Sequence, residues 1–404
     1  MLFGLLGRTV SYSYSPRIHG ALGDYPYVLF EKEPEQLADF LQNGEFNGLN
    51  VTIPYKKAVI PYLNALSPVA KRLGAVNTVV RRADGTLIGH NTDYFGFSTM
   101  VAKSGVRPAG KKALVLGSGG ASNTAVAVLE ELGAKVVVIS RTGENNYNNL
   151  DLHKDAALIV NATPVGMFPN VDDSPISLDG FPQLEAVLDL NYNPSRTRLL
   201  LDAESRGLIA ENGRWMLVAQ AKESSEWFTG TPIPDSKIEE IHKVLSSQME
   251  NIVLIGMPGC GKSTVARLLS QALQRPVVDA DEEICHAAGC GIPEIFANGG
   301  EEAFRKLETK VLRQLGMQSG KIIATGGGCV TREENYPLLH RNGKIIWLER
   351  QLNKLPSDGR PLSQATKMET MYAVRKPMYQ RFADHIVSND GPVEQTVDAI
   401  RRLL

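Results

Sequence analysis

Short apolar runs recur along the chain, and between them apolar positions fall at helical spacing. Residues 2–6 read as a buried strand ending at Gly7, and Ser15-Pro16 as the cap and first turn of a helix. Residues 27–30 read as strand, 35–42 as helix and 46–52 as strand again. The runs 75–82 and 86–89 flank Asp84-Gly85, which predicts a hairpin. Next come a strand at 113–116, a glycine turn, a helix at 124–132 and a strand at 136–139, which together make a βαβ unit. Strands at 157–160 and 186–188 precede a helix from 213 to about 228 and a polar-faced helix over 235–248. The alternation then starts afresh, with strands at 252–255, 277–278 and 322–325 and a helix that opens near Val265. This alternation predicts an α/β fold throughout, with parallel sheets in its βαβ parts.

A chain of 404 residues holds two or three such domains, each large enough for its own core. Hydrophobic content of 43% and charged content of 22% are those of a soluble globular protein. A net charge of −1 gives no footprint for nucleic acid or a membrane surface, so the expected partners are small molecules. The oligomeric state is not set by the sequence. The cysteines at 260, 285, 290 and 329 have no metal-ligand spacing and read as reduced thiols. The apolar N-terminus is short and lacks a basic flank, and no apolar run approaches a span, so a cytoplasmic protein is expected.

The sharpest chemical signal is Gly256-Met257-Pro258-Gly259-Cys260-Gly261-Lys262-Ser263-Thr264, set between a strand and a helix. This is the G-x4-G-K-[ST] spacing of a P-loop. Its glycines let backbone N–H groups, from Gly259 to Thr264, curl round phosphate oxygens; Lys262 reaches the β/γ-phosphates and the Ser263 hydroxyl holds Mg²⁺. After the next strand, Asp279 and Asp281 stand two apart. Such carboxylates share a site, one beside the metal and one accepting a substrate hydroxyl, although Asp281 also suits a helix N-cap. Arg305 and Glu308 lie on one helix face, and Gly326-Gly327-Gly328 ends a strand where bare backbone can approach a ligand.

The first half carries scattered polar residues. Ser13 and Ser15 stand two apart before the first helix, and Pro54 places Thr52 and Lys56 at the carboxyl end of a strand, where open α/β sheets bind ligands. Asn77 and Asp93 lie at the two outer ends of the hairpin and are expected near each other. The turn Gly117-Ser118-Gly119-Gly120-Ala121 has the dinucleotide-binding shape. Where an NAD site wants an acid, this chain has Ser140-Arg141-Thr142, whose guanidinium and hydroxyls suit the 2′-phosphate of NADP.

Taken together these stretches are similar to a known family. Ser13 and Ser15, N-V-T-x-P-x-K, G-A-V-N-T, G-x-N-T-D, the G-x-G-G-A turn, S-R-T, N-A-T-P-x-G-M, D-x-x-Y-x-P and M-L-x-x-Q occur in the order found in shikimate dehydrogenases, over about 225 residues. The resemblance implies a substrate domain at 1–102, completed by helices at about 213–248, and a Rossmann-like NADP domain at 103–212. It implies Lys56 and Asp93 as the catalytic pair, and Ser13, Ser15, Thr52, Asn77, Asp93, Tyr192 and Gln220 around the substrate. The cofactor would be faced by residues 117–121, Ser140, Arg141, Thr142, Thr163, Met167, Gly213 and Met216. The chain departs from the family pattern at Gly20 and Asn123, in a short first helix, and between Arg141 and Ala156, where about a helix of chain is missing.

Residues 249–404 resemble shikimate kinase, of P-loop NMP-kinase-like fold, through the P-loop, D-x-D, F-R-x-x-E, G-G-G, R-P-L and R-x-x-x-Y motifs. Carried over, Asp281, Arg305, Gly327, Gly328 and Arg375 would grip shikimate, and Arg360 would reach from a lid toward the phosphates. Lys262 and Arg360 would offset charge on the transferring group, with Asp279 beside Mg²⁺. The lid segment between Leu348 and Arg360 is shorter than the family's. The combined expectation is a bifunctional enzyme that reduces 3-dehydroshikimate with NADPH and phosphorylates shikimate from MgATP. The alternatives are an NAD-linked quinate or shikimate dehydrogenase joined to the kinase, or a non-catalytic metabolite-sensing regulator.

Overall fold

The computed structural model describes residues 1–11, 13–355 and 368–404. The chain divides into two compact units, Met1–Asn193 with Thr197–Leu245, and Pro194–Arg196 with Ser246–Leu404. Three sheets form among the described residues, two in the first unit and one in the second.

The first sheet holds β1 (Phe3–Gly7), β2 (Tyr27–Glu31), β3 (Gly48–Val51), β4 (Ala65–Leu66), β5 (Thr78–Arg81) and β6 (Leu87–His90), in the order β2-β1-β3-β5-β6-β4. β1 is buried along its whole length between two parallel neighbours, β2 and β3, which explains its unbroken apolar run. The expected hairpin forms: β5 and β6 pair antiparallel, and the Asp84 carboxylate accepts the Thr86 N–H at 3.0 Å to close the turn. The helix Ser15–Leu22 corrects one expectation. Its cap position is Tyr14, Ser15 lies already inside the first turn, and the Ser13 hydroxyl accepts the Ser15 N–H at 3.1 Å.

The second sheet is all parallel. It comprises β7 (Lys112–Leu116), β8 (Lys135–Ile139), β9 (Leu158–Asn161), β10 (Ala186–Asp189) and β11 (Ile209–Asn212), in the order β11-β10-β9-β7-β8. The chain leaves β7 to one side for β8 and returns on the other side as β9, so a crevice opens at the carboxyl ends of β7 and β9. A single 3-10 turn, Leu150–His153, lies between β8 and β9, as the short segment after Arg141 foretold. The helix Arg214–Thr229 then returns to the first sheet. Its Phe228 ring stacks on Phe3 at 4.8 Å, and Gly96 leaves room for it against the helix Asp93–Ser104.

The third sheet is also parallel: β12 (Asn251–Ile255), β13 (Val277–Asp279), β14 (Ile322–Ala324), β15 (Gly343–Glu349) and β16 (His385–Ser388), in the order β13-β14-β12-β15-β16. β12 is central and wholly buried, and the helix Lys262–Leu273 follows its loop. The helix Ile292–Gly316 breaks at Gly300, whose φ is +68°, so Arg305 sits on a separately aimed segment. No helix among the described residues is long and apolar enough to cross a membrane.

β7 and β12 are interior strands of their sheets. Leu114 in β7 and Leu254 in β12 are both fully buried. Truncating either to alanine is expected to cost about 2–5 kcal/mol. In calorimetry Leu114→Ala should lower the transition of the first unit and Leu254→Ala that of the second; unchanged transitions would contradict this packing.

Candidate functional site

In the first unit, the ends of β3 and β6 and the start of the helix Asp93–Ser104 converge. Lys56 follows the turn after β3, and its Nζ donates to Asp93 Oδ2 at 2.6 Å. Asp93 opens its helix, where a carboxylate is favoured by the N-terminal end of the helix dipole. Its other oxygen, Oδ1, accepts from Asn77 Nδ2 at 3.0 Å. Asn77 is fixed in turn: its Oδ1 accepts the Thr92 N–H at 2.7 Å, and Gln220 Oε1 stands 3.4 Å from its Nδ2. The sequence-predicted residues Lys56, Asn77, Asp93 and Gln220 therefore form one connected cluster. Ser13 and Ser15 share a hydrogen bond, hydroxyl to hydroxyl, at 3.0 Å. Tyr192 packs edge-on against Tyr14, and Thr52 is tied by its N–H to Leu6 O at 2.9 Å.

Beneath these groups lies a buried polar layer that sequence reading did not single out. Tyr27 Oη donates to Asn50 Oδ1 at 2.7 Å, and the His19 ring stacks on Tyr27 at 4.0 Å. Burial pushes the His19 imidazole down to about 3, so it is neutral at physiological pH.

The dinucleotide turn sits at the crevice of the parallel sheet. Gly117 has φ +108°, a conformation that L side chains rarely adopt, and Gly119 caps the helix Gly120–Glu131. Ser118 and Gly119 are exposed there and Ala121 is half-buried. A helix N-terminus behind a glycine turn is a ready anion site, so these residues fit a dinucleotide pyrophosphate. Ser140 ends in a turn with Asn145 and Asn146, which leaves Arg141 and Thr142 exposed beyond β8. Thr163 is held by Asn161, whose Oδ1 accepts both its hydroxyl at 2.7 Å and its N–H at 3.0 Å. Met167 is exposed, Met216 is buried, and Gly213 is obligatory because a Cβ there would meet Leu190 O at 2.2 Å.

Asp189 braces this end of the sheet. Its carboxylate accepts from Asn161 Nδ2 at 3.0 Å, Thr197 Oγ1 at 2.6 Å and the Asn191 N–H at 3.0 Å. Complete burial nevertheless outweighs these bonds and raises it to about 6.

In the second unit a cavity of about 570 Å³ opens at the carboxyl end of β12. Gly256, Gly259 and Gly261 all have positive φ, and Gly261 caps the helix that begins with Lys262. Lys262 folds back into the loop, donating to Gly256 O at 2.9 Å and Met257 O at 3.1 Å, the place a phosphate would claim. Cys260 is fully buried and, contrary to expectation, does not line the cavity, while Thr264 is exposed and does. Ser263 Oγ donates to Asp279 Oδ2 at 2.8 Å. Two hard oxygen donors side by side fit Mg²⁺, which takes one or two protein ligands and completes its shell with water and phosphate. The cap of the helix Ala280–Ala288 is Asp279, not Asp281, which corrects the capping alternative and leaves Asp281 at the cavity wall.

Opposite the P-loop, Arg305 pairs with buried Glu308 at 2.7 Å, and Arg375 Nη1 donates to Gly327 O at 3.1 Å. A Cβ on Gly328 would fall 2.1 Å from the Arg305 guanidinium, so only glycine permits this approach. Asp281, Arg305, Gly327, Gly328 and Arg375 thus line one wall. Arg360 lies outside the described residues. Two groups at this cavity were not read from the sequence: Arg350 in its lining, and Asn389, which donates from Nδ2 to Cys260 O at 2.7 Å. Neither sits in a local pattern; the fold brings them in from the ends of β15 and β16.

Asp189 makes the stability of the first unit depend on pH. An unfolded aspartate titrates near ~4, below the folded group's value of about 6, so the unfolded chain releases its proton first as pH rises. This group's contribution to stability therefore falls between about pH 4 and about pH 6 and stays flat above. Asp189→Asn should lose less stability than the parent between those limits in urea titrations of the first unit; an equal loss would contradict the assignment.

Comparison with known proteins gives a family for each half of the chain. Residues 5–79 match the family model for the shikimate dehydrogenase substrate binding domain, and residues 258–404 match that for shikimate kinase. The chain is 34% identical over 266 residues to a shikimate dehydrogenase (NADP(+)) of Clostridium perfringens, covering 60% of this chain and 98% of that protein. It is 36% identical over 269 residues to the chloroplastic bifunctional 3-dehydroquinate dehydratase/shikimate dehydrogenase of Arabidopsis thaliana, covering 58% of this chain but only 44% of the plant protein. Among solved structures, shikimate dehydrogenase 1 from Peptoclostridium difficile superposes with a TM-score of 0.56 at 38% identity, covering 60% of this chain and 97% of that one. The chain belongs to the shikimate dehydrogenase family over its first three-fifths and carries a shikimate kinase domain behind it, a bifunctional fusion of the two enzymes.

Proposed function

We propose that the chain performs two consecutive steps, reduction of 3-dehydroshikimate to shikimate by NADPH and phosphorylation of the shikimate 3-hydroxyl by MgATP. The observation that carries the first step is the Lys56–Asp93 pair at 2.6 Å, set in a cluster with Asn77 and Gln220. Residues 1–102, with the helices at about 213–248, are assigned to the substrate, residues 103–212 to NADP and residues 249–404 to the kinase. NADPH supplies a hydride and MgATP a phosphoryl group.

For the reduction, Lys56 stands at the C3 oxygen and delivers a proton to it, while Asp93 orients the ammonium and offsets its charge. Asn77, Gln220, Thr52, Tyr192 and the hydroxyls of Ser13 and Ser15 hold the ring and its substituents. Arg141, with Ser140 and Thr142, takes the 2′-phosphate, which supports NADPH over NADH because no acid stands there to repel it.

For the transfer, Arg305 and Arg375 clamp the shikimate carboxylate, and Asp281 accepts a hydrogen bond from a ring hydroxyl. Lys262 and the P-loop N–H groups offset charge on the phosphates, and Ser263 and Asp279 hold Mg²⁺. Arg360 is assigned to the phosphates from the lid segment.

One assay tests the reading: supply 3-dehydroshikimate, NADPH and MgATP, and follow NADPH absorbance and ADP release together. ADP release that depends on NADPH is expected; no signal from folded protein would favour a regulator without chemistry. Lys56→Ala should lower reduction by roughly 10²–10⁴-fold and spare the kinase. Lys262→Ala should do the reverse, by roughly 10²–10³-fold. Loss of both activities in either variant would contradict the assignment of separate sites.

A further inference from the structure

The helix Arg214–Thr229 presents a stripe of side chains, Met216, Gln220, Glu223 and Trp227, spaced three or four apart and hence on one face. Each neighbour of Glu223 along this stripe has a fixed position. Above it, Gln220 Oε1 approaches Asn77, and Gly96, on the helix that Asp93 opens, lies against the Gln220 Cβ. Below it, the Trp227 ring stacks on His90 at 3.6 Å, at the end of β6 just before Asp93. Beside it, Lys222 Nζ lies 5.4 Å from the Phe95 ring in the first turn of the same helix. Glu223 therefore faces the stretch from His90 to Asp93, behind the catalytic pair.

Its carboxyl is unusual for such a place. Oε2 is buried without a hydrogen-bond partner, and no ion pair to Glu223 occurs among the described residues. The charges that face it are Asp93 across the helix contact and, on its own helix, Glu226 and Lys222, the latter taken up by Glu226 at 2.9 Å and Asp235 at 3.0 Å. His90 is neutral at physiological pH because burial pushes it to about 4. An unpaired acid beside other acids holds its proton longer, and burial, with Glu226 and Asp93 adding repulsion, raises Glu223 to about 7.

We propose that Glu223 is a positioning residue for the ketone reduction, a second acid behind Asp93 whose charge sets how readily Lys56 gives up its proton. Protonated, Glu223 leaves the Lys56–Asp93 pair electrically balanced. Ionised, it adds a negative charge to the site, holds the proton on Lys56 more tightly and slows its delivery to the C3 oxygen. The proposal rests on the dehydrogenase reading above.

The test compares the full-length parent with Glu223→Gln and Glu223→Asp, measuring kcat and KM for 3-dehydroshikimate from about pH 6 to about pH 8.5. Glu223→Gln should match the parent at the acid end and exceed it in kcat by roughly three- to tenfold at the alkaline end, with KM nearly unchanged. Glu223→Asp keeps a titrating acid and should keep a pH inflection. Kinase turnover and NADPH binding by the same preparations report on folding. A uniform loss at every pH, or superimposable profiles for parent and Glu223→Gln, overturns the proposal. If Glu223→Gln fails to bind NADPH, the Glu223→Asp profile decides, and absence of an inflection there overturns it. A parent that binds NADPH but does not oxidise it with 3-dehydroshikimate defeats the dehydrogenase reading itself, and the proposal with it.

Discussion

A parallel strand buried on both faces has no room for polar side chains along its length, so chemistry collects where the strand stops. β7 and β12 are both interior strands, both largely apolar, and both give way to a glycine turn that runs into a helix N-terminus. That shared constraint places a dinucleotide turn at Gly117 and a P-loop at Gly256. It also decides what stands opposite each turn: Thr163 beyond β9 in the first unit, and Gly326 to Gly328 beyond β14 in the second. The core sets the position of the chemistry without taking part in it.

The two sites manage charge differently. In the dehydrogenase site a single ion pair, Lys56–Asp93, is held by neutral groups: Asn77 donates to Asp93, and Asn77 is itself fixed by the Thr92 N–H it accepts and the Gln220 Oε1 it faces. Glu223, proposed above to act behind this pair, would add one more charge to it. The kinase site instead collects four cations, Lys262, Arg305, Arg350 and Arg375, against Asp279, Asp281 and Glu308. That excess of donors suits an anionic ligand; glycine at 328 lets the Arg305 guanidinium lie against bare backbone, and glycine at 327 leaves room for Pro258 of the P-loop.

The departures from the family pattern have physical readings too. The segment after Arg141 crosses from β8 to β9 with one 3-10 turn, so Ser140, Arg141 and Thr142 are followed at once by a tight asparagine-rich turn. Arg141 is the exposed cation just beyond β8. Asp189 has a different role from a catalytic acid. It ties Asn161 at the end of β9 to Asn191 and Thr197 beyond β10, at the expense of a proton held to about 6.

The sequence by itself determined the α/β alternation, both glycine turns, the hairpin that brings Asn77 to Asp93, and the ordered short motifs that mark two enzyme families. Those features are legible because each depends on neighbours within a few residues: apolar period, turn chemistry, and glycine where φ is positive. Asp281 and Ser15 show the limit even at short range, since a shift of one or two residues in a helix start moved the cap to Asp279 and Tyr14. Only the tertiary structure decided the rest. Gln220 meets Asn77 from 143 positions away, Asn389 reaches Cys260 from 129 away, and Glu223 acquires its raised proton affinity from burial, with Glu226 and Asp93 adding repulsion. Solvent exclusion and contact between distant segments create those properties, and no local pattern encodes them.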